Sequence, residues 1–184
     1  VVEETLEMSR QELQRLTTLL NEYRSFAKPQ GINTEMTDVR QLFQEFLAPA
    51  ISHYEDCGIN VELEFDANLP LIPVDREKIK QVILNLCKNA VEAMPEGGSL
   101  RSRAFQRGDR MIIEVADTGT GIPEGLNVFQ LFKTTKPQGT GLGLPIVEQI
   151  ISEHHGSVHH VTELGKGTVF IVSLPLDVLS SSRL

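Results

Sequence analysis

A seven-residue hydrophobic repeat runs through the beginning of the chain. The apolar positions recur at spacings of seven and three, and they are Leu6, Leu13, Leu16, Leu20, Tyr23 and Ala27. This pattern predicts one helix with a narrow apolar seam of about three heptads. The seam can pack on a partner helix or on the domain that follows. We expect a partner helix, because the segment ends at Pro29-Gln30-Gly31, which is typical of a linker.

Beyond this linker, helical and strand patterns are mixed. Apolar residues at helical spacing predict helices over 38–57, 75–94 and 142–154, with Asp38 and Asp75 able to cap the first two. Alternation of apolar and polar residues predicts strands at 59–65, 99–106, 110–116, 157–163 and 167–175, and Pro70 and Pro73 predict a turn. The fold class is therefore α/β: a two-layer α/β sandwich with a mixed sheet and helices on one face, preceded by one long amphipathic helix.

Composition narrows the classes of function. The 184 residues carry a net charge of −8 and show no basic cluster, which argues against a nucleic-acid partner. No apolar run approaches the roughly 18 residues that span a bilayer, and no signal-peptide pattern is present. We expect a cytoplasmic module, while a membrane anchor elsewhere in a longer protein stays open. Cys57 and Cys87 lie among apolar residues, and we expect both to be small core residues.

Two asparagines lie on one predicted helix, in the segment QVILNLCKNAVEAM. Asn85 and Asn89 are four residues apart and therefore share a helical face. Asparagine is a mediocre helix former, so two on one face suggest a ligand or a hydrated divalent cation. The alternative is a pair of exposed surface amides, which the two residues by themselves do not exclude.

The segment Asp117-Thr118-Gly119-Thr120-Gly121 directly follows the predicted strand at 110–116. A carboxylate at a strand end, followed by glycines, lets the backbone approach a flat ligand while one acceptor binds an N–H donor such as a purine amine. A simple glycine turn with an aspartate cap is the alternative.

A second glycine-rich segment, Gly139-Thr140-Gly141-Leu142-Gly143, precedes the last predicted helix. Glycines at a helix start expose backbone N–H groups where phosphate binds readily. The spacing is neither that of a Walker A loop nor that of the GxGxxG dinucleotide motif. Upstream lie Phe129 and Phe132, which can seat a movable lid, and then the cations and hydroxyls of Lys133, Thr134, Thr135 and Lys136, which suit a triphosphate.

Taken in order, these segments resemble the sequence boxes of sensor histidine kinases from two-component systems. NLCKNAVEAMP resembles the N box, DTGTGIP the G1 box, FQLFKTTK the F box and GTGLGL the G2 box, and the match covers residues 38–176. The resemblance implies a Bergerat-type ATP-binding fold. It divides the chain into part of a dimerisation helical hairpin at 1–29, an ATP-binding domain at 30–176 and a tail at 177–184.

The resemblance also implies roles for individual residues. Asn89 would bind Mg²⁺, Asn85 would lie beside the phosphates or the metal, and Asp117 would accept a hydrogen bond from the adenine amine. The full set implied to bind ATP is Asn85, Asn89, Asp117, Gly119, Gly121, Thr134, Thr135, Lys136, Gly139, Thr140, Gly141, Leu142, Gly143 and Thr168.

The reaction implied by the resemblance is transfer of the ATP γ-phosphoryl group to a histidine and then to an aspartate of a response regulator receiver domain, within a homodimeric full-length protein. The family's acceptor is a histidine followed by an acidic residue, and none of the five histidines here has that neighbour. We therefore expect this chain to bind ATP without phosphorylating itself.

Two other functions remain open on the sequence. One is a related chaperone-like or mismatch-repair ATPase, and the other is a nucleotide-binding scaffold without catalysis. In the related hydrolases the helix position of Asn85 carries a glutamate that activates water, and an amide is not a base. This difference favours a kinase over a hydrolase.

Overall fold

The structure is a computed structural model of the chain, and it describes residues 5–10, 12–13, 16–17, 20, 31–134 and 139–177. The strands are β1 (Glu35–Thr37), β2 (Ile59–Phe65), β3 (Ile72–Val74), β4 (Gly98–Arg107), β5 (Arg110–Asp117), β6 (Ser157–Glu163) and β7 (Gly167–Pro175). The helices after the linker are α1 (Val39–Asp56), α2 (Arg76–Glu92) and α3 (Gly143–Glu153).

Five strands form one mixed sheet in the order β2-β4-β5-β7-β6. Strands β2 and β4 are parallel, and the other neighbours are antiparallel. Along β5, Met111, Ile113 and Val115 are buried, whereas Glu114 on the opposite face is partly exposed. Side chains of all three helices join the buried face in one hydrophobic core. The predicted two-layer α/β sandwich is confirmed.

Local sequence signals determine where α1 and α2 begin. The Asp38 side chain accepts hydrogen bonds from two backbone N–H groups of the first turn of α1. The Asp75 side chain accepts one from Lys78 N at the start of α2. Each cap satisfies a backbone donor that has no partner within the helix, which stabilises a helix by about 1 kcal/mol.

The amphipathic pattern of α2 gives it one buried and one partly exposed face. Its buried residues are Ile79, Val82, Ile83, Leu86, Cys87 and Ala90. Each large aliphatic side chain among them contributes about 1.5–3 kcal/mol by leaving water. Because the core takes this face, Asn85 and Asn89 remain on the partly exposed side, away from the sheet.

Two expectations need correction. Pro73, predicted to mark a turn, lies in β3, which pairs antiparallel with β1 in a small separate sheet. Proline lacks a backbone donor, and a two-stranded sheet tolerates it because each strand is an edge. Cys87 is buried as expected, but Cys57 is exposed. It caps the C-terminus of α1, where the buried face of that helix has already ended.

The described residues of the N-terminal segment, from 5 to 20, are helical, as the heptad pattern predicts. Leu6, Leu13 and Leu20 are each about two-thirds exposed. The seam therefore does not pack on the chain's own domain at these positions. Tyr23, Ala27 and the predicted linker up to Gln30 lie outside the described residues. Among the described helices, none is both long enough and apolar enough to cross a membrane.

Candidate functional site

A cavity of about 940 Å³ opens between α2, the loop after β5 and the loop before α3. Its wall brings together residues from α2, from these two loops and from β7. The predicted residues that line it are Asn85, Asn89, Asp117, Gly121, Thr134, Gly139, Thr140, Gly141, Gly143 and Thr168.

Two predicted residues lie outside the lining of the cavity, and two others lie outside the described residues. Gly119 lies behind the wall, where a Cβ atom would overlap the carbonyl of Ala93. The side chain of Leu142 is 1% exposed and belongs to the hydrophobic core. Both residues therefore support the wall instead of forming its surface. Thr135 and Lys136 lie outside the described residues.

The cavity also has lining residues that the sequence analysis did not single out. The polar ones are Lys88 and Glu92, and the apolar ones include Ile122, Leu126, Val128, Leu144 and Phe170. The position of Glu92 in the wall could have been predicted from the sequence, because Glu92 lies three residues after Asn89 and therefore on the same face of α2. The apolar residues could not have been predicted in this way, since their contribution depends on how separate segments pack.

Asp117 ends β5 and is 7% exposed. Its Oδ1 accepts hydrogen bonds from the backbone N–H groups of Gly119, at 2.8 Å, and Thr168, at 3.3 Å. Hydrogen bonds to a charged carboxylate are roughly twice as strong as neutral ones, so they hold its orientation firmly. A fixed, nearly buried acceptor suits a flat ligand that carries an N–H donor.

The loop that follows Asp117 is pressed between two other parts of the fold. Thr120 N donates to Ala93 O at the end of α2, and Gly165 N in the β6–β7 turn donates to Thr120 O. The backbone of Gly119 contacts Ala93 so closely that no side chain would fit between them. This contact fixes the position of the loop along α2.

The opposite end of the cavity is formed where α3 begins. Asn85 Nδ2 donates to the carbonyl of Gly143 at 3.2 Å, which joins α2 to the first turn of α3. The N-cap residue of α3 is Leu142, whose side chain makes no capping hydrogen bond. The N–H groups of that first turn are the kind of donors that anions bind.

A hydrogen bond joins the two sides of the loop before α3. Phe132 N donates to Gly141 O at 3.1 Å, and Phe132 itself has a left-handed backbone with φ of 60°. A Cβ on Gly141 would overlap the Phe132 backbone. Phe129 packs against the core, whereas Phe132 is 63% exposed. Of the two phenylalanines, Phe129 therefore anchors the loop.

The far end of α3 is fastened to the start of α2. His154 Nε2 accepts a hydrogen bond from Asp75 N at 2.9 Å. Its Nδ1–H donates to Ile150 O at 2.7 Å, and this arrangement requires the neutral ring. Burial lowers the pKa of His154, which favours that neutral form. Beside it, Lys78 Nζ lies 2.6 Å from Glu153 Oε2. Helix α3 is thus joined to α2 at both of its own ends, once at the start of α2 and once at Asn85 in its middle.

Several polar side chains in the cavity wall carry oxygen atoms that can bind a metal ion. The amides of Asn85 and Asn89 and the carboxylate of Glu92 lie on one face of α2, and hard cations such as Mg²⁺ favour such donors. Across the part of the chain that the structure describes, no group of three or more His, Cys, Asp or Glu residues forms a metal site. A cation here would therefore depend on oxygen atoms of a bound ligand as well.

Comparison with known proteins agrees with this geometry. The family described as "Histidine kinase-, DNA gyrase B-, and HSP90-like ATPase" matches residues 74–178. Sporulation kinase E of Bacillus subtilis (strain 168) is 34% identical over 176 residues, which cover 94% of this chain and 24% of that protein. The chain thus spans about a quarter of the length of this relative.

Solved structures give the same result for the fold. The catalytic domain of histidine kinase ThkA matches with a TM-score of 0.72 and 33% identity, over 78% of this chain and 96% of that domain. Full-length ShkA in complex with AMPPNP matches with a TM-score of 0.83 and 27% identity, over 94% of this chain and 38% of ShkA. ThkA in complex with response regulator protein TrrA matches with a TM-score of 0.82 and 27% identity, over 100% of this chain and 53% of ThkA.

Proposed function

Because the chain belongs to the family of histidine kinase-, DNA gyrase B- and HSP90-like ATPases, we propose that it is the ATP-binding catalytic module of a two-component sensor histidine kinase. The observation that carries the proposal is one cavity with a fixed carboxylate, Asp117, at one end and the start of α3 at the other. A base with an exocyclic amine fits the first end, and phosphates fit the second.

Each end of the cavity has a defined task in this proposal. Asp117 accepts a hydrogen bond from the adenine amine, and Thr168, whose backbone helps to orient Asp117, closes that end. The first turn of α3 and the glycines before it receive the phosphates. Thr134, Thr135 and Lys136 belong to the loop that would close over the terminal phosphates, with Thr135 and Lys136 assigned on their sequence motif alone.

Asn89 would hold Mg²⁺ together with the phosphates, and Asn85 would lie beside the phosphates or the metal. Asn85 donates through Nδ2 to Gly143 and so presents Oδ1 as an acceptor. The ion supplies neutralisation of phosphate charge during transfer. This module's own contribution is to position the nucleotide, which accounts for most of the catalysis in phosphoryl transfer.

The experiment is titration of the chain with ATP by calorimetry, with and without Mg²⁺. We expect Asn89→Ala to reduce the gain in affinity that Mg²⁺ gives, with binding in its absence little changed. Lys80→Ala, on the same helix but not among the cavity-lining residues, is the control. Equal dependence on Mg²⁺ in wild type and Asn89→Ala would remove the proposed role of Asn89, and no binding of ATP at all would contradict the proposed function.

A kinase and a hydrolase make different use of the position of Asn85. An amide does not take a proton from water, whereas a glutamate there can. We expect the wild type to hydrolyse ATP slowly and Asn85→Glu to hydrolyse it faster, by steady-state phosphate release. An unchanged rate in the variant would withdraw support for the kinase over the hydrolase.

The acceptor histidine lies elsewhere in this proposal. None of His53, His154, His155, His159 and His160 is followed by an acidic residue, and His154 is buried and bonded on both ring nitrogens. The 184 residues should therefore not phosphorylate themselves. Acid-labile phosphohistidine on this chain after incubation with labelled ATP would refute that expectation.

We also propose the partners and location of the longer protein. A response regulator receives the phosphoryl group, by analogy with the complex of ThkA and TrrA. The exposed leucine seam of the N-terminal helix supports pairing of two subunits through helices. A cytoplasmic location is consistent with the free thiols of Cys57 and Cys87.

A further inference from the structure

An acidic side chain lies in the wall of the cavity where ATP is proposed to bind. Glu92 lines the cavity on the same face of α2 as Asn85 and Asn89. A carboxylate repels phosphate and accepts hydrogen bonds from hydroxyl groups, so at this place in the wall it suits a part of the ligand other than the phosphates. The nearby Lys88, whose Nζ lies 3.9 Å from Glu92 Oε1, offsets part of its charge.

Helix α2 runs along the cavity, so its residues serve to measure distances between the two ends of the cavity. The loop that carries Asp117 is level with Ala93, because Thr120 N donates to Ala93 O at 3.1 Å. The start of α3 is level with Asn85, which donates to Gly143 O at 3.2 Å. At 1.5 Å per helical residue, these two levels are about 12 Å apart.

Glu92 lies near the end of the cavity that is proposed to hold the base. It immediately precedes Ala93, the level of the Asp117 loop, and is one helical turn beyond Asn89. The ribose of a nucleotide joins the base to the phosphates, so it must occupy the space between the two levels, directly below the base. The carboxylate of Glu92 belongs to that space.

We propose that Glu92 recognises the ribose by accepting hydrogen bonds from its 2′- and 3′-hydroxyl groups, and so makes the site selective for ribonucleotides over deoxyribonucleotides. Two carboxylate oxygens match two neighbouring hydroxyl donors, as acidic residues do in dinucleotide-binding folds. Lys88, one turn closer to the phosphate end, keeps the carboxylate from weakening phosphate binding. This inference rests on the proposed ATP-binding function.

The test compares ATP, 2′-deoxyATP and 3′-deoxyATP as ligands of the complete 184-residue chain, by calorimetric titration with and without Mg²⁺. The variants are Glu92→Ala and, as a matched control, Glu96→Ala. Glu96 is an exposed acid just beyond the helix that is not among the cavity-lining residues. Both changes alter the net charge equally, so a general change in attraction for phosphate affects both variants.

We expect the wild type to bind ATP about tenfold more tightly than either deoxynucleotide, as loss of one hydrogen bond to a charged group predicts. In Glu92→Ala the three affinities should become nearly equal, and in Glu96→Ala the preference should persist. The preference should also survive removal of Mg²⁺, because it does not depend on a metal.

Four results would overturn the inference. A wild type that binds all three nucleotides equally shows that the ribose is not recognised. If Glu92→Ala lowered the affinity for all three nucleotides equally, Glu92 would act through the phosphates, Lys88 or the metal. A preference for ATP that vanishes without Mg²⁺ would lead to the same conclusion. A wild type that binds none of them refutes the ATP-binding function itself, and that outcome is distinct from the other three.

Discussion

The two ends of the cavity are built differently. At the end proposed to hold the base, called the base end below, the Asp117 carboxylate is 7% exposed and accepts backbone hydrogen bonds from Gly119 and Thr168. The loop is also bonded to the end of α2 through Thr120. At the phosphate end, the loop before α3 is closed at its base by the bond from Phe132 to Gly141, and Phe132 is 63% exposed.

This difference indicates a division of labour. The base end is fixed by buried hydrogen bonds and close packing before any ligand arrives, so it can select a ligand with little loss of entropy. The end proposed to hold the phosphates lies beside the start of α3, where the side chain of Phe132 is exposed, and we expect the loop there to close on its ligand. Changes at the first end should therefore affect both folding and binding, and changes at the second should affect phosphate binding alone.

The largest effect is expected from Asp117→Ala. The change leaves the N–H groups of Gly119 and Thr168 without their acceptor, at roughly 1–3 kcal/mol for each buried donor. It also removes the acceptor proposed for the base. We expect the free energy of unfolding in urea to fall by about 2–4 kcal/mol and ATP affinity to fall by more than about 100-fold.

Asp117→Asn separates these two contributions. Its side-chain carbonyl can still accept from Gly119, so most of the stability should remain while the N–H of the new amide repels the base donor. An Asp117→Asn variant that binds ATP like the wild type would show that this carboxylate does not recognise the base.

A smaller and more selective effect is expected from Gly141→Ala. Gly141 has φ of 68°, and its Cβ would overlap Phe132. The loop should then close poorly, and the affinity for ATP should fall by about tenfold, or roughly 1.4 kcal/mol. Adenosine lacks phosphates, so its affinity should stay unchanged. Calorimetric titration with both ligands measures the difference.

Gly125→Ala is the matched control for this change. Gly125 has φ of 78° and nothing within 4 Å of its Cβ position, so the variant carries the same backbone strain without the overlap. If Gly141→Ala weakened adenosine and ATP equally, the two ends of the cavity would not be separable.

The smallest effect concerns pH and the contact of His154 with the start of α2. Burial lowers the pKa of His154 below its ordinary value of 6.5, so the unfolded chain takes up this proton more readily. The stability contributed by the neutral ring is complete above pH 6.5 and is lost as the pH falls towards the folded pKa, at up to about 1.4 kcal/mol per pH unit. Lys78 and Glu153, which face the ring, have opposing effects on its pKa.

Urea unfolding between pH 7.5 and 5.5 tests this dependence. His154→Gln keeps a side-chain acceptor for Asp75 N without a titrating ring, and should therefore show a flatter profile than the wild type. His53→Gln, at an exposed position, should retain the wild-type profile. An unchanged slope in His154→Gln would exclude this histidine as the source.

Local features of the fold were predictable because their causes are local. The caps Asp38 and Asp75 lie next to the helices they begin, and the shared face of Asn85 and Asn89 follows from helical spacing alone. The small β1–β3 sheet was not predictable, because each strand has three residues and one contains Pro73. So short a pairing has no periodicity to detect.

The sequence by itself determined the helices, the main strands and the three segments that carry the candidate chemistry, because short-range spacing and backbone propensities control these features. Only the tertiary structure decided that Leu142 supports the core, that Gly119 lies behind the wall and that Glu92 joins it. It also decided that Asp75 meets His154 across 79 residues of chain. Such contacts depend on how helices and sheet pack together, and no local pattern encodes the distance between segments that only packing brings into contact.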